Sequence, residues 1–299
     1  MLNDTKSIKY MNIKDGVSVI IVTRNRCDEL KKTVQYLQEQ ECNIPYEVLI
    51  VDQASTDETQ ATFHDLKPPF VYKSLDKNYG VSGGRNRGVK LSSYNNMIFI
   101  DDDAHFVEKN ALEKIADFMN HSKHNLFAFH ILNNEGGLYN WPYGKRKKEH
   151  ANNDFVCKTF IGCGHAIKRE FFELAGGYSD ALFFWGEESE LVMKSFKYTG
   201  MGVQYVGNIQ IVHRVNGNGR NTYDAKRFYY QVRNRMYLYK ELVPSIAFMY
   251  KWYYQIGYLV KAIRNRWVKE YHDGMRDYKT MAIKKCKLTI YQFFQYIKL

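Results

Sequence analysis

Short runs of apolar and β-branched residues alternate with helix-forming segments in the early part of the chain, and this alternation constrains the fold more than any other feature. The runs lie about 25 residues apart, at 17–22, 46–52, 70–75 and 97–101. Between the first two runs, Leu30, Val34 and Leu37 recur at helical spacing. Strands that alternate with helices in this way lie parallel and are joined by right-handed crossovers. The sequence therefore predicts a doubly wound α/β sheet.

Two further helices are predicted after the second and fourth runs. The segment STDETQATF opens the first of them, with Ser55 or Thr56 as its N-cap. The other helix is expected near 108–120. The 45% of hydrophobic residues is enough to fill a core of this size, which argues against a disordered chain.

The charge of the chain is unevenly distributed. Residues 226–299 hold 16 Lys and Arg against 4 Asp and Glu, a local charge of +12 in a chain that carries +11, so residues 1–225 carry about −1. The same tail contains 18 of the 46 aromatic residues. We predict a nearly neutral body over 1–225 and a basic, aromatic, helical extension over 226–299. Such an extension suits an anionic membrane surface, a nucleic acid or an acidic partner.

The cysteine pattern indicates a reducing compartment. The five cysteines are scattered and form no CxxC pair, which disfavours a disulfide scaffold and a zinc site. The polar N-terminal segment lacks the apolar core of a signal peptide. We therefore expect a cytoplasmic protein.

Polar residues follow each predicted strand, and ligands of such sheets bind outside the carboxyl ends of the strands. These residues are Thr23, Arg24, Asn25 and Arg26, then Asp52, then Asp76, Lys77 and Asn78, and finally Asp101, Asp102 and Asp103. Their amides, cations and carboxylates suit a nucleotide diphosphate held through Mg²⁺ or Mn²⁺, with the D-x-D pair supplying hard oxygen ligands. A solvated acidic turn is the alternative interpretation of an isolated aspartate cluster, but a position directly after a buried strand disfavours it.

The glycine-rich segment NYGVSGGRNRG, at 78–88, is a weaker signal. Backbone N–H groups at a helix start, including that of Gly80, can cradle a phosphate. The segment matches neither the Walker A pattern nor G-x-G-x-x-G. A tight turn with close helix packing is the alternative, although Arg85 and Arg87 favour an anion-facing role for at least one of them.

An aromatic run in the second half, ALFFWGEESELVMKSF at 181–196, ends in Gly186 and three glutamates. A carboxylate of Glu187, Glu188 or Glu190 beside an aromatic wall can have a raised pKa and act as a base. An acidic helix N-terminus stabilised by the macrodipole is the alternative.

The ordered segments VSVIIVTRNR, VDQASTD, NYGVSGGRNRG, FIDDDA and GGYSDALFFWGEESEL resemble those of family 2 glycosyltransferases with the GT-A fold, of the bacterial cell-surface polysaccharide type. The resemblance covers roughly 15–240. It implies an inverting transferase that uses a UDP- or dTDP-sugar and Mn²⁺ or Mg²⁺. It also implies a nucleotide-sugar half at about 15–105 and an acceptor half at about 106–225.

The resemblance assigns roles to individual residues. Asp52 would contact the base, Asp101 and Asp103 the ribose and the metal–diphosphate, and Glu188 would be the general base. This chain has Glu187-Glu188 and Glu190 where the family commonly has Glu-Asp followed by Asp, so Glu187 is a second candidate base. The expected donor-binding residues are Thr23, Asn25, Arg26, Asp52, Asn78, Gly80, Arg85, Asp101 and Asp102.

Several further residues are candidates for contacts with the donor or the acceptor. His213, after a late strand, resembles a histidine that approaches the diphosphate or its metal, and a surface histidine is the alternative. Arg214 and Arg220 would close over the diphosphate, or form a solvated basic loop. The acceptor side would include Trp185, His165 and Glu190.

The extension contains a largely apolar stretch at 242–260, interrupted by Pro244, Lys251 and Gln255. The interruptions make it a poor membrane-spanning helix, whereas its aromatic residues suit a membrane interface. We expect peripheral attachment at the inner face of the cell membrane, which suits a lipid-linked acceptor. A helical pair that packs on the body or dimerises is the alternative.

Two other functions compete with an active transferase. The basic extension permits a nucleic-acid-binding module, but this leaves the ordered acidic motifs unexplained. An inactive relative that only binds a nucleotide sugar is disfavoured by the retained carboxylates. The expected partners are therefore a nucleotide-diphosphate sugar, a glycan or lipid-linked acceptor and an anionic membrane, with no nucleic acid and with a homodimer left open.

Overall fold

One mixed sheet organises the fold, which is given by a computed structural model that describes residues 14–144, 146–214, 223–282 and 286–299. Within these residues the strands are β1 (Lys14–Thr23), β2 (Tyr46–Asp52), β3 (Phe70–Ser74), β4 (Tyr94–Asp101), β5 (Ala104–Phe106), β6 (Leu126–Leu132), β7 (Phe155–Cys157), β8 (Gly164–Lys168) and β9 (Val203–His213). The strand order is β3-β2-β1-β4-β8-β6-β9-β5, and β7 pairs with β9.

Helices cover both faces of the sheet and form the C-terminal part of the chain. They are α1 (Cys27–Gln38), α2 (Thr59–Phe63), α3 (Gly80–Leu91), α4 (Ala111–His121), α5 (Arg169–Leu174), α6 (Glu187–Thr199), α7 (Ala225–Glu241), α8 (Phe248–Asn265), α9 (Val268–Asp277) and α10 (Ile290–Lys298). The predicted helix near 108–120 corresponds to α4.

The parallel half of the sheet agrees with the sequence prediction. Strand β1 pairs in parallel with β2 and β4, and β2 pairs in parallel with β3. In this register Thr23 lies opposite Asp52, and Val22 lies opposite Asp101. The carboxyl ends of β1, β2 and β4 therefore meet at one edge, as expected.

The other half of the sheet is mixed, which the strand–helix alternation did not predict. Strand β8 is antiparallel to both β4 and β6, whereas β9 is parallel to β6 and β5 is antiparallel to β9. After β4 the chain passes through β5 and α4 to β6, which lies two positions from β4 in the sheet, with β8 between them. Local periodicity predicts a strand but not its position in the sheet, so it cannot show that a later strand inserts between two earlier ones.

The N-cap prediction for α2 is wrong. The helix begins at Thr59 rather than beside Ser55 or Thr56. The Ser55 hydroxyl instead donates to Asp52 Oδ1 and accepts from the N–H of Asn25 at 2.8 Å. The N–H of Thr56 donates to Asn25 Oδ1 at 2.7 Å. The Thr56 hydroxyl also donates to Asn25 Oδ1, at 3.3 Å. These hydrogen bonds tie the loop after β1 to the loop after β2, and neither side chain caps α2.

Side chains of β1 alternate between two cores, one on each face of the sheet. Val17, Val19 and Ile21 pack against the apolar faces of α1 and α4. Ile20 belongs to the other core, with side chains of α3 and α6. Full burial of one Val or Ile side chain stabilises the folded protein by about 1.5–3 kcal/mol relative to an exposed side chain.

The glycine-rich segment forms most of α3, which begins at Gly80. A Cβ added at Gly88 would come within 2.5 Å of Ile20 Cγ2, and one at Gly84 within 2.6 Å of Val22 Cγ1. The glycines therefore let α3 lie close to β1, and the predicted phosphate contact at the start of α3 stays a prediction.

The C-terminal helices pack on the body. Leu288, Phe293 and Tyr296 belong to the core that also contains residues of α6, and the ring centroids of Phe196 and Tyr296 are 5.7 Å apart. Residue 225, the predicted end of the body, is the first residue of α7. Among the helices of the described residues, none is long and apolar enough to cross a membrane.

Candidate active site

Asp52, at the end of β2, is fully buried and held by several donors. Its Oδ1 accepts from the N–H of Ser55 at 3.0 Å and from the Ser55 hydroxyl, and its Oδ2 accepts from the Tyr72 hydroxyl. Burial and the hydrogen bond to the Asp52 carboxylate raise the pKa of Tyr72, which keeps the phenol a donor. The carboxylate is thus fixed at the edge where β1 and β2 end.

Arg26 pairs with the second and third residues of the Asp101–Asp103 run. Arg26 Nε lies 3.2 Å from Asp102 Oδ1, and its Nη2 pairs with Asp103 Oδ2. Thr23 Oγ1 donates to Asp102 Oδ2 at 2.7 Å, and His213 Nε2 lies 3.1 Å from Asp103 Oδ1. Arg26, in the segment between β1 and α1, therefore offsets the repulsion between neighbouring aspartates.

The two aspartates differ in their affinity for a proton. Burial raises the pKa of Asp102 to about 7, although Arg26 opposes this shift. Burial also favours a neutral Asp103, but the hydrogen bond and charge of His213, together with Arg26, lower the pKa of Asp103 to about 2. Burial lowers the pKa of His213, whereas its contact with Asp103 raises it, and the net shift is upward. Asp103 is therefore ionised at neutral pH.

Asp101, Asp103 and His213 offer ligand atoms that all lie within 4.8 Å of one another. The pairing of β5 with β9 sets Ala104 opposite His213 and so brings the imidazole beside the carboxylates. Two carboxylates and one imidazole are ligands that suit a divalent cation such as Mn²⁺. The donor set therefore fits the predicted metal.

Glu187 and Glu188 are the first two residues of α6. Glu187 is 5% exposed, and its Oε1 lies 3.5 Å from Arg85 Nη1. Glu188 is half-buried, with Oε1 beside Gly162, where an added Cβ would come within 2.6 Å of it. Burial raises the pKa of both carboxyl groups, the charge of Glu188 adds to the effect on Glu187, and Arg85 opposes it. A partly exposed carboxylate with a raised pKa is suited to accept a proton.

Arg85 connects the aspartates to the glutamates. Its guanidinium is buried, and Nη2 donates to the carbonyl of Gly162 at 2.8 Å and lies 3.3 Å from Asp101 Oδ1. With Glu187 at its other nitrogen, the side chain has carboxylates on two sides. This placement orients acidic groups, and the predicted contact of Arg85 with a donor stays a prediction.

Asn25, Asn78 and Gly80 shape the loops beside this edge. Asn25 is exposed and has a φ of 52°, and Asn78 Oδ1 accepts from the N–H of Gly80 at 2.8 Å. Gly80 has a φ of 74°, and an added Cβ would come within 2.1 Å of the carbonyl oxygen of Phe183. The predicted contacts of these three residues with a donor stay predictions.

Arg214 is not placed to close over a diphosphate, so that prediction is wrong. Its backbone N–H donates to the carbonyl of Asp103 at 2.7 Å. Its side chain is buried against α1, where Nη2 donates to Thr33 Oγ1 at 2.6 Å and to the carbonyl of Glu29 at 3.1 Å. Arg220, the second arginine considered for this role, lies outside the described residues.

Residues 18–175 match the model described as glycosyl transferase family 2, which is more than half of the chain. The chain belongs to this family. Residues 145–217 also match a model described as the N-terminal domain of galactosyltransferase. The predicted family is therefore confirmed.

Among curated proteins, this family 2 chain is 35% identical over 176 residues to the uncharacterized glycosyltransferase YwdF of Bacillus subtilis, which covers 55% of this chain and 62% of YwdF. The chain thus spans less than two thirds of that relative.

Two solved structures show the same architecture. GalNAc-T7 with UDP, GalNAc and Mn²⁺ aligns with a TM-score of 0.60 at 16% identity, over 75% of this chain and 47% of that one. Mannosyltransferase PcManGT from Pyrobaculum calidifontis, with GDP-Man and Mn²⁺, aligns with a TM-score of 0.57 at 15% identity, over 96% of this chain and 81% of that one. The predicted GT-A type α/β fold is confirmed by these likenesses.

The residues predicted on the acceptor side of this family 2 chain have different surroundings. Trp185 is half-buried in the loop before α6. Glu190 lies two residues after Glu188 on α6, so its side chain points about 200° around the helix axis from that of Glu188. It is fully buried, and its carboxylate pairs with Lys194 at 2.9 Å. His165 is fully buried in β8 and stacks on Phe99 with centroids 4.9 Å apart. The predicted contacts of Trp185, His165 and Glu190 with an acceptor stay predictions.

Sequence reasoning assigned no role to Asn234, which the structure brings to the site. Asn234 lies on α7 and is fully buried, and its Nδ2 donates to the carbonyl of Phe184 at 2.8 Å and to that of Trp185. Its flanking arginines make the segment Arg-Asn-Arg recognisable in the sequence. Nothing in the local pattern links that segment to a loop some 50 residues earlier.

Proposed function

We propose that this family 2 protein is an inverting glycosyltransferase that moves a sugar from a UDP- or dTDP-linked donor to a hydroxyl group of a glycan or lipid-linked acceptor. The observation that carries the proposal is two acidic clusters joined by one buried arginine, Arg85. The cation-binding cluster consists of Asp101, Asp103 and His213. The second cluster, Glu187 and Glu188, can accept a proton. The likeness to proteins crystallised with UDP or GDP-Man and Mn²⁺ supports this division.

The donor lies at the edge where β1, β2 and β4 end. Asp52, held by Ser55 and Tyr72, accepts a hydrogen bond from the base of the nucleotide. Arg26 adds a fixed positive charge at the same edge. Asp101, Asp103 and His213 would hold Mn²⁺ or Mg²⁺, which would supply positive charge to neutralise the diphosphate.

The acceptor hydroxyl lies against Glu188, the more exposed of the two glutamates at the start of α6. Glu188 takes the proton as the acceptor oxygen forms its bond to the anomeric carbon and the bond from that carbon to the diphosphate oxygen breaks. One in-line displacement inverts the configuration of the anomeric carbon. Glu187 stays ion-paired to Arg85 and keeps the guanidinium in place.

A thermal-shift panel of UDP-, dTDP- and GDP-sugars with and without Mn²⁺, followed by a transfer assay with a synthetic acceptor, tests the proposal. We expect Mn²⁺-dependent stabilisation by one donor class, and release of its nucleoside diphosphate in the presence of acceptor. Stabilisation without release would indicate an inactive relative. Stabilisation by none of these donors would overturn the proposal.

Helix α8 supplies a second surface to this proposed function. Five side chains on one of its faces are between 55% and 73% exposed: Met249, Trp252, Tyr253, Ile256 and Ile263. They recur at spacings of three, four and seven residues, which places them on one stripe. Tyr250, Tyr254 and Tyr258 occupy the opposite face and pack on the core that contains side chains of α3 and α6. A helix with one apolar face exposed is suited to lie in a membrane interface.

The positive charge around this stripe favours an anionic lipid bilayer as its partner. From Leu242 to Lys269 the chain has no Asp or Glu, and its basic residues are Lys251, Lys261, Arg264, Arg266 and Lys269. The body over 1–225 then carries the chemistry and the extension over 226–299 carries the membrane contact, on the cytoplasmic face. Arg235 lies over the rings of both Trp185 and Tyr254, at 5.1 and 5.2 Å from their centroids. The proposed acceptor side therefore adjoins α8, which suits a lipid-linked acceptor.

A further inference from the structure

The loop that leads into α6 has an unfavourable backbone conformation. Trp185 has a φ of 70° and Gly186 a φ of 101°, so two consecutive residues lie in the left-handed region. Residues with a Cβ rarely adopt that region. The next two residues are Glu187 and Glu188, so the geometry of this turn sets the position of both carboxylates.

Side chains of α7 donate hydrogen bonds to backbone carbonyl groups of this loop. Asn234 Nδ2 donates to the carbonyl of Phe184 at 2.8 Å and to that of Trp185, and its Oδ1 accepts from Arg233 Nε at 2.8 Å. Arg233 Nη2 also donates to the carbonyl of Ala181 at 3.0 Å. A single buried amide therefore satisfies two successive carbonyl groups of the strained turn.

The contact between Asn234 and the turn is close as well as polar. An added Cβ at Gly186 would lie 3.4 Å from Asn234 Cβ, so the turn rests directly on α7. The guanidinium of Arg235 lies over the ring of Trp185, 5.1 Å from the ring centroid. Strained conformations of this kind persist when the surrounding structure over-determines them, and they cluster at functional sites.

We propose that Asn234 is a positioning residue for glycosyl transfer, which holds the Trp185–Gly186 turn in its left-handed conformation and thereby aims the carboxylate of Glu188 at the acceptor hydroxyl. This inference rests on the proposed function. Loss of the amide leaves two carbonyl groups without their donor, and the turn relaxes toward ordinary backbone angles. The start of α6 then moves relative to the donor, whose binding residues lie on other elements.

Steady-state kinetics of the Asn234→Ala variant test the proposal. A displacement of about 1 Å at a reacting group can lower a rate by up to about 10²-fold, so we expect kcat to fall between about 10-fold and 10²-fold. Donor binding, measured as Mn²⁺-dependent thermal stabilisation by the nucleotide sugar, should stay within about twofold. The acid limb of the rate–pH profile should move, because Glu188 changes its surroundings.

Ser195→Ala is the matched control. Ser195 is buried on α6, the helix that begins with the two glutamates, and its hydroxyl donates to the carbonyl of Met201, just beyond the other end of that helix, at 2.7 Å. We expect this variant to lose stability without a change in kcat or in the pH profile. Equal kinetic effects in both variants would show that Asn234 acts only through general stability and would overturn the proposal.

Hydrogen exchange of the amides of 184–190 gives a readout that does not depend on activity. We expect faster exchange in Asn234→Ala than in Ser195→Ala. Failure of the wild-type protein to transfer any sugar, with the exchange difference still present, would overturn the proposed function and leave the holding of the turn intact. Unchanged exchange and kcat in folded Asn234→Ala would overturn the role of Asn234.

If Asn234→Ala does not fold, the nearly isosteric Asn234→Asp takes its place, since it keeps an acceptor for Arg233, loses the donor and sets a carboxyl group against the two carbonyl groups. Failure of both variants to fold would assign Asn234 a purely structural role and overturn the proposal.

Discussion

Arg85 on α3 and Glu187 on α6 form a buried ion pair, with Nη1 of the arginine 3.5 Å from Oε1 of the glutamate. The same guanidinium reaches Asp101 at 3.3 Å, so one side chain couples the cation-binding cluster to the acidic start of α6. Burial raises the pKa of Glu187 to about 8, and the charge of Arg85 opposes that rise.

Replacement of Arg85 by Gln should shift the pH dependence of transfer. Arg85 opposes the burial that raises the pKa of Glu187 and Glu188. Without it both pKa values rise further, so Glu188 is protonated over a wider range and the acid limb of the rate–pH profile moves to higher pH. Loss of one partner of a buried pair should also destabilise the protein by about 3–5 kcal/mol in urea unfolding.

Arg87→Gln is the matched control for this change. Arg87 lies on the same helix but is more exposed and contacts Asp180 at 3.7 Å and the ring of Tyr79. We expect its pH profile to match that of the wild type. An unshifted acid limb in folded Arg85→Gln would contradict the coupling between the two clusters.

Asp103→Asn should remove the metal-dependent step of donor binding. Asp103 combines a pKa of about 2 with a position beside His213, and the amide has neither the charge nor the second oxygen. We expect no transfer, and no increase in thermal stabilisation by the nucleotide sugar when Mn²⁺ is added. Asp102→Asn serves as control, since Asp102 faces Thr23 and Arg26 and lies outside the cluster. Retained Mn²⁺ dependence in Asp103→Asn would show that the metal is held elsewhere.

Glu188→Gln is nearly isosteric and removes only the proton acceptor. We expect kcat to fall by about 10²-fold or more while donor binding persists. The measurement is single-turnover transfer beside a donor titration. Glu187→Gln is the informative comparison, because it removes the partner of Arg85 and leaves Glu188 in place. If Glu187→Gln proves the inactive variant and Glu188→Gln retains its rate, Glu187 is the base.

Introduction of negative charge on the exposed face of α8 should abolish membrane binding without unfolding. Trp252 and Ile256 are 61% and 55% exposed, so Trp252→Glu with Ile256→Glu removes little packing. We expect the wild type to co-sediment with anionic liposomes, less so as salt rises because the Debye length falls from about 8 Å at physiological salt. The double variant should stay in solution and still bind donor.

Leu174→Glu is the matched control, since Leu174 is 57% exposed on α5 and lies outside the stripe. It should sediment with liposomes as the wild type does. No liposome binding by the wild type, together with a dimer in size-exclusion chromatography that the double variant breaks, would identify a second copy of the chain as the partner. Point changes are preferable to removal of 242–299, because Leu288, Phe293 and Tyr296 belong to the main core.

The sequence by itself determined the parallel half of the sheet and the polar residues at its edge. Apolar runs at regular intervals admit few arrangements, and parallel strands bring their carboxyl ends to one side. The positions of Asp52 and Asp101 at the ends of β2 and β4, the two strands that flank β1, followed from these local patterns. The choice of β2 as Tyr46–Asp52 agrees residue for residue with the structure.

Tertiary structure decided which of these residues share a site. The pairing of β5 with β9 brought His213 to Asp103 and turned Arg214 away toward α1. Rotation along α6 separated Glu190 from Glu188, and the insertion of β8 buried His165. Asn234 met the loop before α6 only because α7 packs beneath it. Such contacts join segments far apart in the chain, and they depend on how whole elements pack rather than on the periodicity within any one of them.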